Sequence, residues 1–144
     1  MTSQHTESIA SIEHVFRAWD DALGAKDVDA AMTLYHPDAT LESPLVCHLL
    51  DTEEGVVRGR EALSRFVDRV FAHQPPQRRG HRTGFLSDGT TLTWEYPRRS
   101  PDGDQMDIVD VMEIDVGLIR HHRVYWGWYS VQLLKTGQHP RRAS

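Results

Sequence analysis

Ile9, Ile12, Phe16, Trp19 and Leu23 recur at steps of three and four. That spacing puts apolar side chains on one face of an α-helix. Thr6 or Ser8 can cap its start and Gly24 its end. The run KDVDAAMTLYHP (26–37) predicts a short second helix, with Asp27 as N-cap and Pro37 as its stop. His36, just before that proline, is read as a helix end. ATLESPLV (39–46) has strand character up to its proline. Residues 47–58, CHLLDTEEGVVR, carry no clear period and predict a long loop. Gly59 then opens a third helix with Leu63, Phe66, Val67, Val70 and Phe71 on its apolar face, ended by QPP.

The second half changes period. HRTGFLSDG leads through Asp88-Gly89, a turn signal, into TTLTWEYP. RRSPDGD is a hairpin tip, QMDIVDVMEID a strand, Val116-Gly117 a tight turn, and LIRHHRVYWGWYSVQLL a long last strand. Three helices followed by about four strands in a meander predict an α+β domain. A single domain over 8–134 is expected, between a flexible N-terminus (1–7) and a flexible tail (135–144).

Composition narrows the partners. A length of 144 residues suits one domain, and 39% hydrophobic residues suffice for a core. The net charge of −5 and the lack of a basic stripe argue against nucleic acid. Cys47 is the only cysteine, so no intrachain disulfide can form. MTSQHTES lacks the basic-then-apolar pattern of a signal peptide, and no apolar run approaches the roughly 20 residues that span a bilayer. The expectation is a cytoplasmic protein with no membrane partner.

Three stretches carry a resemblance: ALGAKDVDAAMTLYHPDATLESP (22–44), GREALSRFV (59–67) and DVMEIDVGLIRHHRVYWG (110–127). In this order and spacing the chain resembles the SnoaL-like branch of the nuclear transport factor 2-like superfamily, over roughly residues 8–132. The resemblance implies a cone-shaped α+β fold, with three N-terminal helices packed on a curved, mainly antiparallel sheet around a pocket. It also implies a homodimer through the outer sheet face. It does not fix function, because the superfamily contains steroid isomerases, polyketide cyclases, epoxide hydrolases, dehydratases and non-catalytic binding modules.

Carried over position by position, the resemblance is incomplete. The oxyanion-hole tyrosine of the ketosteroid isomerases falls on Trp19, their base on Ser43 and their second acid on Asp110. Trp19 has no phenol, and a serine hydroxyl moves no proton at neutral pH without an activating base. The epoxide-hydrolase triad falls on Trp94, Tyr96 and Val124, none of them an Arg or Asp. The inward aspartate of the SnoaL-type cyclases corresponds to Asp110.

Strand alternation sorts the remaining residues. With Asp110 inward, Ile108, Met112 and Ile114 share its face, and Asp107, Val109, Val111 and Glu113 face out. On the last strand His122, Val124, Trp126 and Trp128 point in; His121, Arg123, Tyr125 and Tyr129 point out. Leu92, Trp94 and Tyr96 point in from the middle strand. The expected site is a large, aromatic pocket with Asp110, His122 and Tyr96 as catalytic groups. Trp19, Tyr35, Ser43, Trp94, Met112, Trp126 and Trp128 line it, with His48 on a loop lid over the mouth. Such a site suits a small apolar ligand.

A buried Asp–His pair also serves as a plain structural hydrogen bond, and a tryptophan cluster as ordinary core. His121 and His122 point opposite ways on one strand, so they cannot share an ion. No metal and no cofactor are expected, since neither a converging ligand set nor a Gly-rich phosphate loop is legible. Two readings stay open: cofactor-independent acid/base chemistry on an apolar oxygenated molecule, or a non-catalytic ligand-binding or adaptor module.

Overall fold

Ser8 Oγ accepts a hydrogen bond from the Ser11 amide at 3.0 Å and opens α1 (Ile9–Ala25). The computed structural model describes residues 7–72, 84–95, 98–99, 105–127, 132 and 135. The buried face of α1 is Ile12, Val15, Trp19, Ala22 and Leu23. Ile9, expected in that stripe, is 79% exposed at the first position of the helix. The helix runs past Gly24 and stops where Lys26 turns left-handed, at φ 56°. Glu7 is buried. Its amide donates to the Gly89 carbonyl at 2.6 Å, and its carboxylate accepts from the Gly117 amide at 2.9 Å.

Asp27 caps α2 (Val28–Met32) by accepting from the Ala30 amide at 3.0 Å. Pro37 does not stop this helix. The Thr33 hydroxyl donates to the Ala30 carbonyl at 2.7 Å, and the Leu34 carbonyl is taken by the Ile119 amide at 2.7 Å. The chain is thereby drawn into β1 (Tyr35–Glu42), where His36 and Pro37 are strand residues. The ladder is irregular between Tyr35 and Thr40, which accommodates a residue with no N–H to donate.

The segment read as a loop is ordered. Ser43 accepts from the Leu45 amide and Pro44 occupies the first turn, so α3 (Pro44–Leu50) begins where a break was expected. Proline is suited to that position, since the amide it lacks has no helical partner there. Asp51 closes α3 at φ 56°, and β2 (Val56–Arg58) follows. The helix α4 (Arg60–Ala72) buries Leu63, Phe66, Val67 and Phe71. Among the described residues there are thus four helices before the second half of the sheet, where three were expected.

The rest of the sheet is β3 (Leu86–Ser87), β4 (Thr91–Glu95), β7 (Ile108–Asp115) and β8 (Leu118–Trp126); β5 (Arg98–Arg99) and β6 (Gln105–Met106) form a separate pair. The six-stranded order is β2-β1-β8-β7-β4-β3. Among the described strands of this sheet only β1 and β8 run parallel; the other pairings are antiparallel. The helices pack on one face of this curved, mostly antiparallel sheet. Ile108, Asp110, Met112 and Ile114 alternate as buried positions along β7. On β8 a register shift between Glu113 and Ile114 of the partner strand lets Ile119 and His122 both point inward, three residues apart. No described helix is long and apolar enough to cross a membrane.

Candidate functional site

Asp110 and His122 are each 1% exposed and lie on neighbouring antiparallel strands. The ladder sets Asp110 opposite Val124 and Met112 opposite His122. The two side chains therefore meet diagonally on the inner face, where His122 Nε2 is hydrogen-bonded to Asp110 Oδ1. The other imidazole nitrogen, Nδ1, lies 2.7 Å from the phenol oxygen of Tyr35. Three buried groups thus form one chain, Tyr35–His122–Asp110. Its far end is open: Asp110 Oδ2 is buried and has no hydrogen-bond partner among the described residues.

Tyr35 reaches His122 because β1 runs parallel beside β8, and the ladder bulges just after Tyr35. Its backbone carbonyl accepts from the Arg60 guanidinium. Trp19 stands edge-on to both rings, with centroids 5.9 Å from Tyr35 and 5.6 Å from His122. Burial first, and then the neighbouring Asp110 charge, push the Tyr35 phenol well above its ordinary pKa.

A cavity of about 40 Å³ opens against this chain. Asp110, His122 and Ser43 are its polar lining; Trp19, Phe66, Phe71 and Trp126 supply aromatic surface. A water needs roughly 10–15 Å³ on this measure, so the cavity has room for about three. At this site the cavity is far smaller than the large pocket expected from sequence, and two of its lining residues, Trp19 and Phe71, pack with ring centroids 5.9 Å apart.

The expected lining residues divide. Trp19, Ser43 and Trp126 border the cavity with Asp110 and His122. Tyr35 does not; it lies behind His122 and holds it. Met112 is fully buried and Trp94 packs edge-on against Phe16 at 5.3 Å, so both serve the core away from the cavity. His48 is not on a loop lid. It is buried within α3 and is not part of the lining. Tyr96 and Trp128 lie outside the described residues. Phe66 and Phe71 went unrecognised as lining, because helical periodicity marks an inward face without distinguishing core from cavity.

The outer face carries a separate network. His121 contacts the Thr40 hydroxyl, and its Nε2 lies 3.5 Å from Glu42. Arg123 pairs with Glu113 at 2.5 Å, and Tyr125 is 55% exposed. The paired histidines of β8 thus serve opposite faces. Among the described residues no group of three His, Cys, Asp or Glu side chains could hold a metal ion.

Comparison with known proteins agrees with this architecture. The SnoaL-like domain pattern matches residues 16–122. A steroid Δ-isomerase from Pseudomonas aeruginosa superposes with a TM-score of 0.70 at 20% identity, covering 96% of this chain and 95% of that one. A SnoaL-like protein of unknown function from Burkholderia thailandensis gives 0.68 at 17%, covering 85% and 99%. An NTF2-like protein of unknown function from Mesorhizobium loti gives 0.66 at 17%, covering 88% and 99%. At these identities the likeness is one of fold. No curated protein matches the sequence. On its family pattern and its fold together, the chain belongs to the SnoaL-like domain family of nuclear transport factor 2-like proteins.

Proposed function

We propose that this protein is a cofactor-independent acid/base enzyme for a small, apolar, oxygenated molecule, working as an isomerase, cyclase or hydratase. The observation that carries this reading is the open oxygen of Asp110. Oδ1 is held by His122, while Oδ2 is buried, unpartnered among the described residues, and part of a carboxyl group that borders a cavity. A buried acceptor left without a partner costs stability, so it persists where something else uses it. Asp110 takes or returns a proton at Oδ2, and His122 orients it. A bound molecule would present a hydroxyl, an enol or an acidic C–H to Oδ2, with its carbon skeleton against Trp19, Phe66 and Phe71. The smallness of the cavity requires Trp19 or Phe71 to swing aside on binding.

Ketosteroid isomerisation by the familiar residues is not supported. Trp19 offers no phenol, and the Ser43 oxygen is occupied as the cap of α3. A non-catalytic small-ligand-binding or dimeric adaptor module is the second reading; the 40 Å³ cavity, far below the roughly 300–1,000 Å³ of ordinary ligand sites, favours its adaptor form.

Thermal-shift screening against steroids, polyketides and terpenoids, followed by assay of any stabilising compound, separates the two. Turnover by the native protein and none by Asp110→Asn supports the enzyme. A compound that both proteins bind equally and neither converts establishes the binding module instead. We further propose a cytoplasmic homodimer through the outer sheet face, where Tyr125 stands exposed. A monomer by sedimentation at micromolar concentration removes that part.

A further inference from the structure

We propose that Tyr35 is a positioning residue: its phenol fixes His122 in the tautomer that carries its proton on Nε2, and so leaves Asp110 Oδ2 as the bare acceptor of a carboxyl group that borders the cavity. The argument is a count of protons along a buried chain. Tyr35 is fully buried, and among the described residues its phenol oxygen meets one hydrogen-bonding atom, His122 Nδ1 at 2.7 Å. At the other end, His122 Nε2 meets a carboxylate oxygen, which only accepts.

With Asp110 as the carboxylate, one arrangement satisfies every member. The phenol donates to a bare Nδ1, and the Nε2 proton goes to Asp110 Oδ1. With the proton on Nδ1 instead, Nε2 and the carboxylate would face each other as two acceptors, and the phenol proton would have no acceptor. With both nitrogens protonated, the Tyr35 proton is still stranded in a dry site, at the cost of an unmade buried hydrogen bond. The raised pKa of Tyr35 fits the same arrangement, since it keeps the phenol a donor.

The surrounding structure holds this geometry. Arg60 takes the Tyr35 carbonyl, Trp19 closes the edge of both rings, and the Tyr35 and His122 rings lie 27° from parallel at 6.1 Å. The polarity of the chain runs one way: phenol to imidazole, imidazole to Oδ1, with Oδ2 left buried and without a partner among the described residues. A ligand is then recognised through a group that donates. The consequence for chemistry rests on Asp110 being the acid/base; the tautomer itself does not.

Nitrogen NMR of labelled histidine in the full-length protein tests it without any substrate. The expected result is a neutral His122 ring whose signal shows Nε2 protonated and Nδ1 bare and hydrogen-bonded. In Tyr35→Phe, which keeps the ring, the single tautomer should be lost to a mixture or to the imidazolium. Protonation of Nδ1 in the native protein overturns the proposal. So does a Tyr35→Phe protein whose His122 spectrum is unchanged, which would make the tyrosine packing alone. If Tyr35→Phe does not fold, the native spectrum and the coupling across its O–H···N bond decide. The Nε2 tautomer in a protein that turns over nothing sinks only the enzyme reading; turnover lost in Asp110→Asn with the wrong tautomer sinks only this one.

Discussion

Asp110 and His122 meet across β7 and β8 one step off the ladder, with Asp110 opposite Val124 and His122 opposite Met112. The offset decides what each carboxylate oxygen does. Oδ1 turns along the sheet to the imidazole, and Oδ2 has no partner among the described residues.

Asp110→Asn should lower turnover of any substrate by about 100- to 10,000-fold, the usual worth of a positioned proton-transfer group. The asparagine keeps its carbonyl on the Nε2 proton and turns an NH₂ toward the cavity, so an acceptor becomes a donor. Ligands with a hydroxyl at that point should bind less well. Steady-state kinetics and calorimetric titration measure the two effects. Unaltered turnover would remove Asp110 from the chemistry.

His122→Ala should destabilise the fold by about 3–5 kcal/mol, as expected when one member of a buried pair is deleted and the other is stranded. It removes the partner of the Asp110 carboxylate and of the Tyr35 phenol at once. Urea denaturation gives the number. A loss under about 1 kcal/mol would mean that water reaches the pair.

Alkaline pH should destabilise the protein through Tyr35. Its folded pKa is raised, so its contribution is fully present below the unfolded value of about 10. Above that pH the unfolded chain releases the proton and the folded one keeps it. Stability then falls by up to about 1.4 kcal/mol per pH unit until the folded pKa is passed. Of the four tyrosines, this one should form tyrosinate only on unfolding, visible by ultraviolet absorbance. The steep alkaline loss should be milder in Tyr35→Phe. Tyr35 ionising in the native state near pH 10 would contradict its burial.

Val116→Asn should stabilise the protein by about 1 kcal/mol. Val116 and Gly117 sit at φ 53° and 74° between the paired residues Asp115 and Leu118, a two-residue hairpin turn. A β-branched side chain resists that left-handed conformation, and asparagine accepts it. Val116 is 73% exposed, so little packing is lost. An unchanged or lower melting temperature would show that the valine is held by something besides the turn.

Sequence pattern located much of this fold. The caps Ser8 and Asp27, the inward stripe of α4 and the two-residue period of β7 were legible, because each is set by local geometry and solvent exposure. Local chemistry left two positions ambiguous. Ser43-Pro44 suits the end of a strand and equally the start of a helix, and the structure has the helix. Pro37 suits a helix stop, yet it sits in a strand whose irregular ladder spares the missing N–H.

The sequence by itself determined that Asp110 shares one face of β7 with Ile108, Met112 and Ile114, since side chains alternate along a strand; the structure buries that face. Tertiary structure alone decided what Asp110 meets. The diagonal to His122 depends on strand register, and the register shift beside Ile114 is invisible in a one-dimensional pattern. The contact to Tyr35 spans 87 positions and depends on β1 lying parallel against β8. Tyr35 looked like pocket lining because hydrophobic pattern reports which way a side chain faces. Which hydrogen-bonding atom waits there is fixed only when distant strands dock.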